Sequence, residues 1–447
     1  MKKIIQRIWK NPLLKKAILD SNYYALNQFG IKFLNFLVIP ILARLISVQD
    51  FGYYDTFILA SGLLGMVFSI GMDSGIVIKI TENLNDKKIL SHIFTFVLVV
   101  NIFLWLVTSF FLIVALRLGF LNGFPKWLLF SIIGYALLYQ VIYNIFNFLR
   151  WVGNAKVASF VSFITSFLGT IFGIVIIFLA KKHEIYYYTT GIIIGNIAGL
   201  LICLYLVREY LDWNFRFVWN DFSKDIFKLS IPFFINNIGG YVMQIVDRVL
   251  LGTFYGITEI GLYGLAYRIA QIPGFIMGIG MRSFHPVIYM NYDKPEGQKI
   301  GRLLVHLYVA FLVVITPLLA LFSSQVIKIF GGNKFEQAHI IMPCIVLSVM
   351  INGLNQLNGI GFSVKRKTAY ISYITLLSII LILLLFLIFN GIVGFKTVAL
   401  VTLVSAAISS FAYMYYSEKF YRFGYNKKFV IISFLFIIAY LSFSIFK

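Results

Sequence analysis

Residues 27–74 read NQFGIKFLNFLVIPILARLISVQDFGYYDTFILASGLLGMVFSIGMDS, and residues 236–283 read NNIGGYVMQIVDRVLLGTFYGITEIGLYGLAYRIAQIPGFIMGIGMRS. Laid over each other at an offset of 209 residues without a gap, they match Asn27 to Asn236, Gly30 to Gly239, Leu42 to Leu251, Gly52 to Gly261, Tyr54 to Tyr263 and Gly65 to Gly274. Ile70, Gly71, Met72 and Ser74 then recur as Ile279, Gly280, Met281 and Ser283. Each copy is two apolar runs long enough to cross a bilayer as helices, joined by a short polar turn. At a shift of 211, Asn144, Lys156 and Ala158 match Asn355, Lys367 and Ala369, which carries the repeat into later runs. Self-similarity on this scale marks a chain built as two like halves.

Working outward, the whole chain is 60% apolar and 12% charged, against about 45–50% and about 25% in soluble domains. A soluble fold is excluded. At about 20 residues per crossing, little is left for a separate soluble domain. Apolar runs bounded by charge, Gly or Pro lie at 24–46, 54–78, 93–116, 127–149, 157–180 and 186–207 in the first half. Those of the second half lie at 229–252, 260–288, 303–322, 340–360, 370–389 and 397–416, and a last run covers 429–446.

The sequence therefore predicts an all-α integral membrane protein with 12–14 transmembrane helices, 13 on this reading. Residues 1–22 form a cytoplasmic amphipathic segment, 23–207 an N-lobe of six helices and 208–228 a cytoplasmic linker; 229–417 form a C-lobe of six helices, and 418–447 a loop and final helix. Six spans separate the repeat copies. An even number preserves direction across the membrane, so the lobes are expected to be related by a pseudo-two-fold axis along the membrane normal.

The net charge of +21 comes from 38 Lys and Arg against 17 Asp and Glu. In a soluble chain this excess would suggest nucleic acid. Here the cations gather in loops on the N-terminal side, so topology explains them and the N-terminus is expected in the cytoplasm. Met1 to Lys16 is basic and lacks the apolar core and cleavage site of a secretory signal, so the first span is expected to be retained. Cys203 and Cys344 fall inside apolar runs and define no disulfide or metal spacing. The histidines, His92, His183, His285, His306 and His339, are scattered singly, and no GxxxxGK[ST] phosphate loop occurs. Neither metal nor cofactor is expected.

Polar side chains inside the spans carry the functional signal. Gln28, Lys32 and Asn35 share one face of the first span, and the offset places them on Asn237, Tyr241 and Gln244, with Arg248 one turn on. The second span carries Asp55 and Asp73 along one face, where its partner carries Arg268, Gln271 and Arg282. One half is acidic where the other is basic. This asymmetry suits an anionic substrate held by Lys32, Arg248, Arg268 and Arg282, with Asp55, Asp73 and Asp247 available for a proton or cation. An ionised group at mid-bilayer costs about 2.5–3.5 kcal/mol, so several of them argue for a wet interior. The same residues also suit interhelical ion pairs, and Arg282, Asp73, Asp55 and Arg248 lie nearer span ends, where snorkelling suffices. Asp247 and Arg248 are sequence neighbours and do not face each other, so each needs another partner. Asn144 and Asn355, with Gln140, Asn147, Asn352 and Gln356, offer amides to sugar hydroxyls or to neighbouring helices.

The run Pro40-Ile-Leu-Ala-Arg44-Leu-Ile-Ser-Val-Gln-Asp50-Phe-Gly52-Tyr-Tyr54 resembles the opening signature of the polysaccharide transporter family. These are the bacterial O-antigen and exopolysaccharide flippases of the multidrug/oligosaccharidyl-lipid/polysaccharide exporter superfamily. Asp247-Arg248, Leu251-Gly252, Gly261, Tyr263 and Ala266 resemble its second-half motif, and Lys365-Arg366-Lys367 its basic loop after the tenth span. The resemblance implies two six-helix lobes in a V around a central cavity, working by alternating access. It implies transport of an undecaprenyl-diphosphate-linked oligosaccharide from the cytoplasmic to the outer leaflet of the bacterial inner membrane, with a polymerase of the pathway as a candidate partner. By position it implicates Lys32, Arg268 and Arg248 in holding the diphosphate. An inside-negative potential favours outward movement of that anion by about 2.3 kcal/mol per charge per 100 mV, so ATP is not required.

Two other functions are weighed against this one. A multidrug or cation antiporter of the same superfamily would want an acidic cavity, which the excess of deep cations opposes. A membrane-embedded O-antigen polymerase or ligase would want a long external loop with catalytic basic residues, and the external loops here are short. A transporter rather than an enzyme is expected.

Overall fold

All twelve apolar runs between residues 24 and 416 are helical in the computed structural model, which describes residues 12–119, 123–180, 182–211, 221–426, 428–433 and 436–437. The first-half helices are α1 (Pro12–Leu45), α2 (Val48–Ser69), α3 (Met72–Glu82), α4 (Lys87–Arg117), α5 (Lys126–Trp151), α6 (Ala155–Leu179) and α7 (Ile185–Val207). They are followed by α8 (Asp221–Phe254), α9 (Ile257–Met290), α10 (Pro295–Leu321), α11 (Ser323–Gly331), α12 (Met342–Val364), α13 (Ala369–Phe389) and α14 (Lys396–Phe420). No strand occurs among the described residues. Eleven of the described helices are long and apolar enough to cross a membrane. The long α9 is not among them, because Glu259, Arg268, Gln271 and Arg282 interrupt its apolar run. The expected final span at 429–446 lies outside the described residues apart from 429–433 and 436–437, as do residues 1–11 and 212–220.

The second expected span, 54–78, is not one helix. It breaks between α2 and α3 at Ile70 and Gly71, both left-handed, with φ of 44° and 71°. A β-carbon on Gly71 would run into the backbone of α8, at the Ser230 carbonyl and 2.6 Å from the Phe234 amide nitrogen. The close approach of α8 imposes the break. The repeat-equivalent Gly280 sits inside the uninterrupted α9.

The chain forms two compact units, one of Met1–Val38 with Thr56–Ile238, the other of Ile39–Asp55 with Gly239–Lys447. In the first, Met72, Ile76, Phe94, Phe148, Val161 and Cys203 belong to a fully buried core. There α6 and α7 pass at backbone distance: a β-carbon on Gly191 would lie 2.6 Å from the Gly173 Cα, and one on Gly195 would lie 2.7 Å from the Gly169 Cα. Small residues at four-residue spacing let helices approach in this way without any hydrophobic drive from water.

In the second unit α12 is the central element, with 72% of its apolar window buried. Helix α13 is apolar all round but buries only one stripe, Ile374, Ser378, Ile382 and Phe386, while Leu376, Leu377, Leu384 and Leu387 are exposed. Such a helix faces hydrocarbon rather than water. The family-signature turn is built here. Ser47 caps α2: its hydroxyl accepts from the Asp50 amide at 3.0 Å and donates to the Asp50 carboxylate at 2.7 Å. Arg44 donates to the Ile329 carbonyl at 2.9 Å in the last turn of α11. In return Lys334 donates to the carbonyls of Arg44 and Ile46 at the end of α1. Each helix C-terminus thus receives a cation from the other's neighbourhood, where the backbone carbonyls lack partners.

Candidate functional site

Four of the expected site residues converge inside the second unit: Asp55 from α2, Asp247 and Arg248 from α8, and Arg268 from α9. The Asp55 carboxylate is gripped from both sides. Arg248 Nε donates to its Oδ2 at 3.1 Å and an Arg268 terminal nitrogen donates to its Oδ1 at 3.0 Å. Asp55 can sit there because its repeat partner is glycine: a β-carbon on Gly264 would lie 2.9 Å from the Asp55 carboxyl carbon. Asp247 takes other partners, as its sequence position required. It accepts from the Tyr263 hydroxyl and, at 2.7 Å, from Thr402 of α14, with the Arg248 guanidinium 3.9 Å away.

Both guanidinium groups lie over aromatic rings. Arg248 is 4.1 Å from the Tyr267 centroid and 4.8 Å from that of Tyr263; Arg268 is 4.6 Å from Tyr54 and 5.8 Å from Phe51. Stacking of this kind holds a planar, weakly hydrated cation in a dry place. Two arginines and two aspartates sum to zero formal charge, as buried ions must nearly do. The balance is uneven. Asp55 and Arg248 side chains are 4% and 7% exposed, Arg268 18%. Arg268 Nε has no hydrogen-bond partner among the described residues. Arg268 is the most exposed member of the cluster and the one with an unpaired donor, its buried Nε.

The other expected residues are not in this cluster. Lys32 and Asn35 are exposed and Gln28 half-buried on α1. Asn237 and Tyr241 are half-buried on α8, while Gln244 and Gln271 are exposed. Asp73 belongs to the first unit, where it accepts from Ser69 at 3.0 Å across the α2–α3 break. Asn144, also in the first unit, accepts from Gln140 at 2.9 Å. Asn355 lines a separate cavity of the second unit. Arg282 lies on α9, but its side chain falls outside the described residues. The Lys365-Arg366-Lys367 turn is exposed, with Arg366 left-handed at φ 55°. No group of three His, Cys, Asp or Glu able to hold a metal occurs among the described residues.

Sequence reasoning missed the tyrosines and Thr402. Tyr54 and Tyr263 had a signal: they are a matched pair of the repeat, and each carries one arginine, Arg268 and Arg248 respectively. Nothing near Thr402 in the sequence connects it with Asp247, 155 residues away.

The family model described as polysaccharide biosynthesis protein matches residues 19–291. The multidrug export protein MepA of Staphylococcus haemolyticus is 29% identical over 181 residues, which is 38% of this chain and 38% of that protein. The chain thus spans about two-fifths of the length of the curated relatives it matches. Two solved structures share the fold over nearly their whole lengths. An inward-facing multidrug resistance MATE family transporter of the MOP superfamily superposes with a TM-score of 0.70 at 14% identity, covering 88% of this chain and 97% of that one. The lipid II flippase MurJ, in an inward closed conformation, gives 0.63 at 16% identity over 96% and 98%.

Proposed function

Because the chain belongs to the polysaccharide biosynthesis protein family, we propose that it is a flippase for an undecaprenyl-diphosphate-linked oligosaccharide, moving it by alternating access to the outer leaflet of a bacterial inner membrane. The observation that carries this reading is the buried pair Arg248 and Arg268 converging on Asp55, with Arg268 retaining an unpaired donor. A diphosphate enters hydrocarbon only if cations replace its hydration, and arginine matches phosphate oxygens in a planar, two-donor geometry.

In this mechanism Asp55 is a stand-in for the substrate anion. It keeps the arginines compensated and oriented while the site is empty. When the diphosphate arrives, Arg268 turns its free Nε and one terminal nitrogen to phosphate, while Arg248 stays on Asp55. In that exchange Asp55 keeps Arg248 and gives up one of its two guanidinium partners. Lys32, in the first unit, and Arg282, in the second, are further cations proposed to meet a diphosphate during transport. Asp55, Asp73 and Asp247 are the groups through which a proton or cation could be coupled. An inside-negative potential contributes about 2.3 kcal/mol per charge per 100 mV.

A second reading, export of cationic drugs, is favoured by the match to MepA. It requires accessible carboxylates, whereas Asp55 is held by two arginines and Asp247 by Tyr263 and Thr402.

The test is translocation of a fluorescent undecaprenyl-diphosphate oligosaccharide in proteoliposomes, beside uptake of a cationic dye. Flipping that collapses in Arg268→Ala and partly survives in Arg268→Lys supports the proposal. Full flipping in the alanine variant, or dye transport alone, overturns it.

A further inference from the structure

A cavity of about 340 Å³ lies inside the second unit, walled by α12, α13 and α14 and closed by Met243 of α8 and Tyr289 of α9. It is well separated in chemistry from the arginine cluster. Among the described residues its lining contains no Asp, Glu, Lys, Arg or His, yet it is rich in amides and hydroxyls. Small-molecule sites run to about 300–1,000 Å³, so the space suits one compact ring or two.

The hydrogen accounting fixes what would fit. Thr375 donates its proton to the Ile371 carbonyl at 2.9 Å, and Ser378 to Ile374 at 2.7 Å. Ser363 donates to Gly359 at 3.2 Å and Ser409 to Ala406 at 2.9 Å. A hydroxyl has one proton to give and two lone pairs to receive with. With their protons committed to backbone, these four present oxygen lone pairs. Asn355 adds a fifth acceptor: the residue is 7% exposed, and its buried Oδ1 has no partner among the described residues. Buried polar atoms are normally satisfied, so an orphan on a residue that lines a cavity points to a missing donor. At the rim the exposed amides of Asn352 and Gln356 can both give and accept.

An anion would meet no cation among the described lining residues, and five acceptors beside the amides of Asn352 and Gln356 and the hydroxyls of Tyr289 and Tyr413. A cation would find no carboxylate, and an apolar group would leave every polar atom unsatisfied. We propose that this cavity binds a neutral, donor-rich sugar ring, with Asn355 as the specificity-determining contact and Thr375, Ser378 and Ser409 as supporting acceptors. The assignment rests on the lipid-linked oligosaccharide reading above and gives its saccharide a place apart from its diphosphate.

The test uses the full chain in nanodiscs and four probes: bare undecaprenyl diphosphate and its glucose, galactose and N-acetylglucosamine conjugates. The wild-type protein should prefer at least one conjugate over the bare lipid by about tenfold. In Asn355→Leu and in Ser378→Ala that preference should shrink to about twofold or less, with affinity for the bare lipid unchanged. Unchanged bare-lipid binding also reports that the variants are folded, and Ser378→Ala decides if Asn355→Leu fails to fold. A preference that survives in the variants, or its absence in the wild type, overturns the cavity assignment and leaves the flippase reading standing. Binding of none of the four probes overturns both.

Discussion

Gly52 and Gly261 are equivalent positions of the two sequence repeats, and they touch each other. A β-carbon on Gly52 would lie 3.2 Å from the Gly261 nitrogen, and one on Gly261 would lie 3.1 Å from the Gly52 nitrogen. The same β-carbons would strike the carbonyls of Ile257 and Val48. The N-terminal turns of α2 and α9 therefore pack backbone to backbone at these two positions, and glycine is there because nothing larger fits between them.

Gly52→Ala and Gly261→Ala should each destabilise the protein by about 1–3 kcal/mol, the usual cost of overpacking a tight contact. Thermal unfolding in detergent measures this. Gly134→Ala is the matched control: its β-carbon meets nothing within 4 Å, and α5 continues through it. A control as damaging as either crossing variant would remove the explanation.

Asp55→Asn should cost about 3–5 kcal/mol, because it strands two buried guanidinium groups facing one carbonyl amide. The loss should shrink when Arg248→Gln is added, since the second change removes the stranded charge. A double-mutant cycle on unfolding free energy checks the coupling, which should exceed about 0.5 kcal/mol for residues in contact. Strict additivity would mean that the ion pair contributes nothing.

Tyr263→Phe and Thr402→Val should each lower stability by about 1.5–3 kcal/mol, the range for hydrogen bonds to charged groups. Each removes one of the two donors on the Asp247 carboxylate. In the Asp247→Asn background the same substitutions should cost less. Equal losses in both backgrounds would show that the hydroxyls act through packing alone.

The Lys328–Glu336 pair, 2.8 Å apart beside α11, sets a pH dependence. The hydrogen bond and charge of Lys328 hold the Glu336 carboxyl below its ordinary 4.5. Its contribution is therefore complete above pH 4.5 and disappears as the pH falls through the lowered folded value. Glu336→Gln should flatten the acid limb of the stability profile slightly and leave the neutral region almost unchanged. A variant with the wild-type acid limb would dismiss the pair.

The positions of the twelve runs could be read directly from hydropathy, because each span must be apolar over its own length whatever it packs against. The break at Ile70 and Gly71 could not. Gly71 is matched to Gly280 by the repeat, and the Ser230 backbone that it meets belongs to a helix remote in sequence. At the site, the opposed signs of Asp55 and Arg268 on matched faces were visible, and the two do meet. Their pairing was left open between a substrate role and an ion pair, since depth in a span says nothing about who stands opposite. Tyr54 and Tyr263 were visible as repeat and signature positions but not as ring faces for arginine, and nothing marked Tyr267 or Thr402.

Asp55 and Arg248 stand 193 residues apart. At a synthesis rate of about 5–20 residues per second, the carboxylate leaves the ribosome about 10–40 s before its counter-ion exists. The first helical hairpin is thus made before either of the guanidinium groups that grip Asp55 has been synthesised. Only the translation of residues 248 and 268 completes the set of charges around that carboxylate.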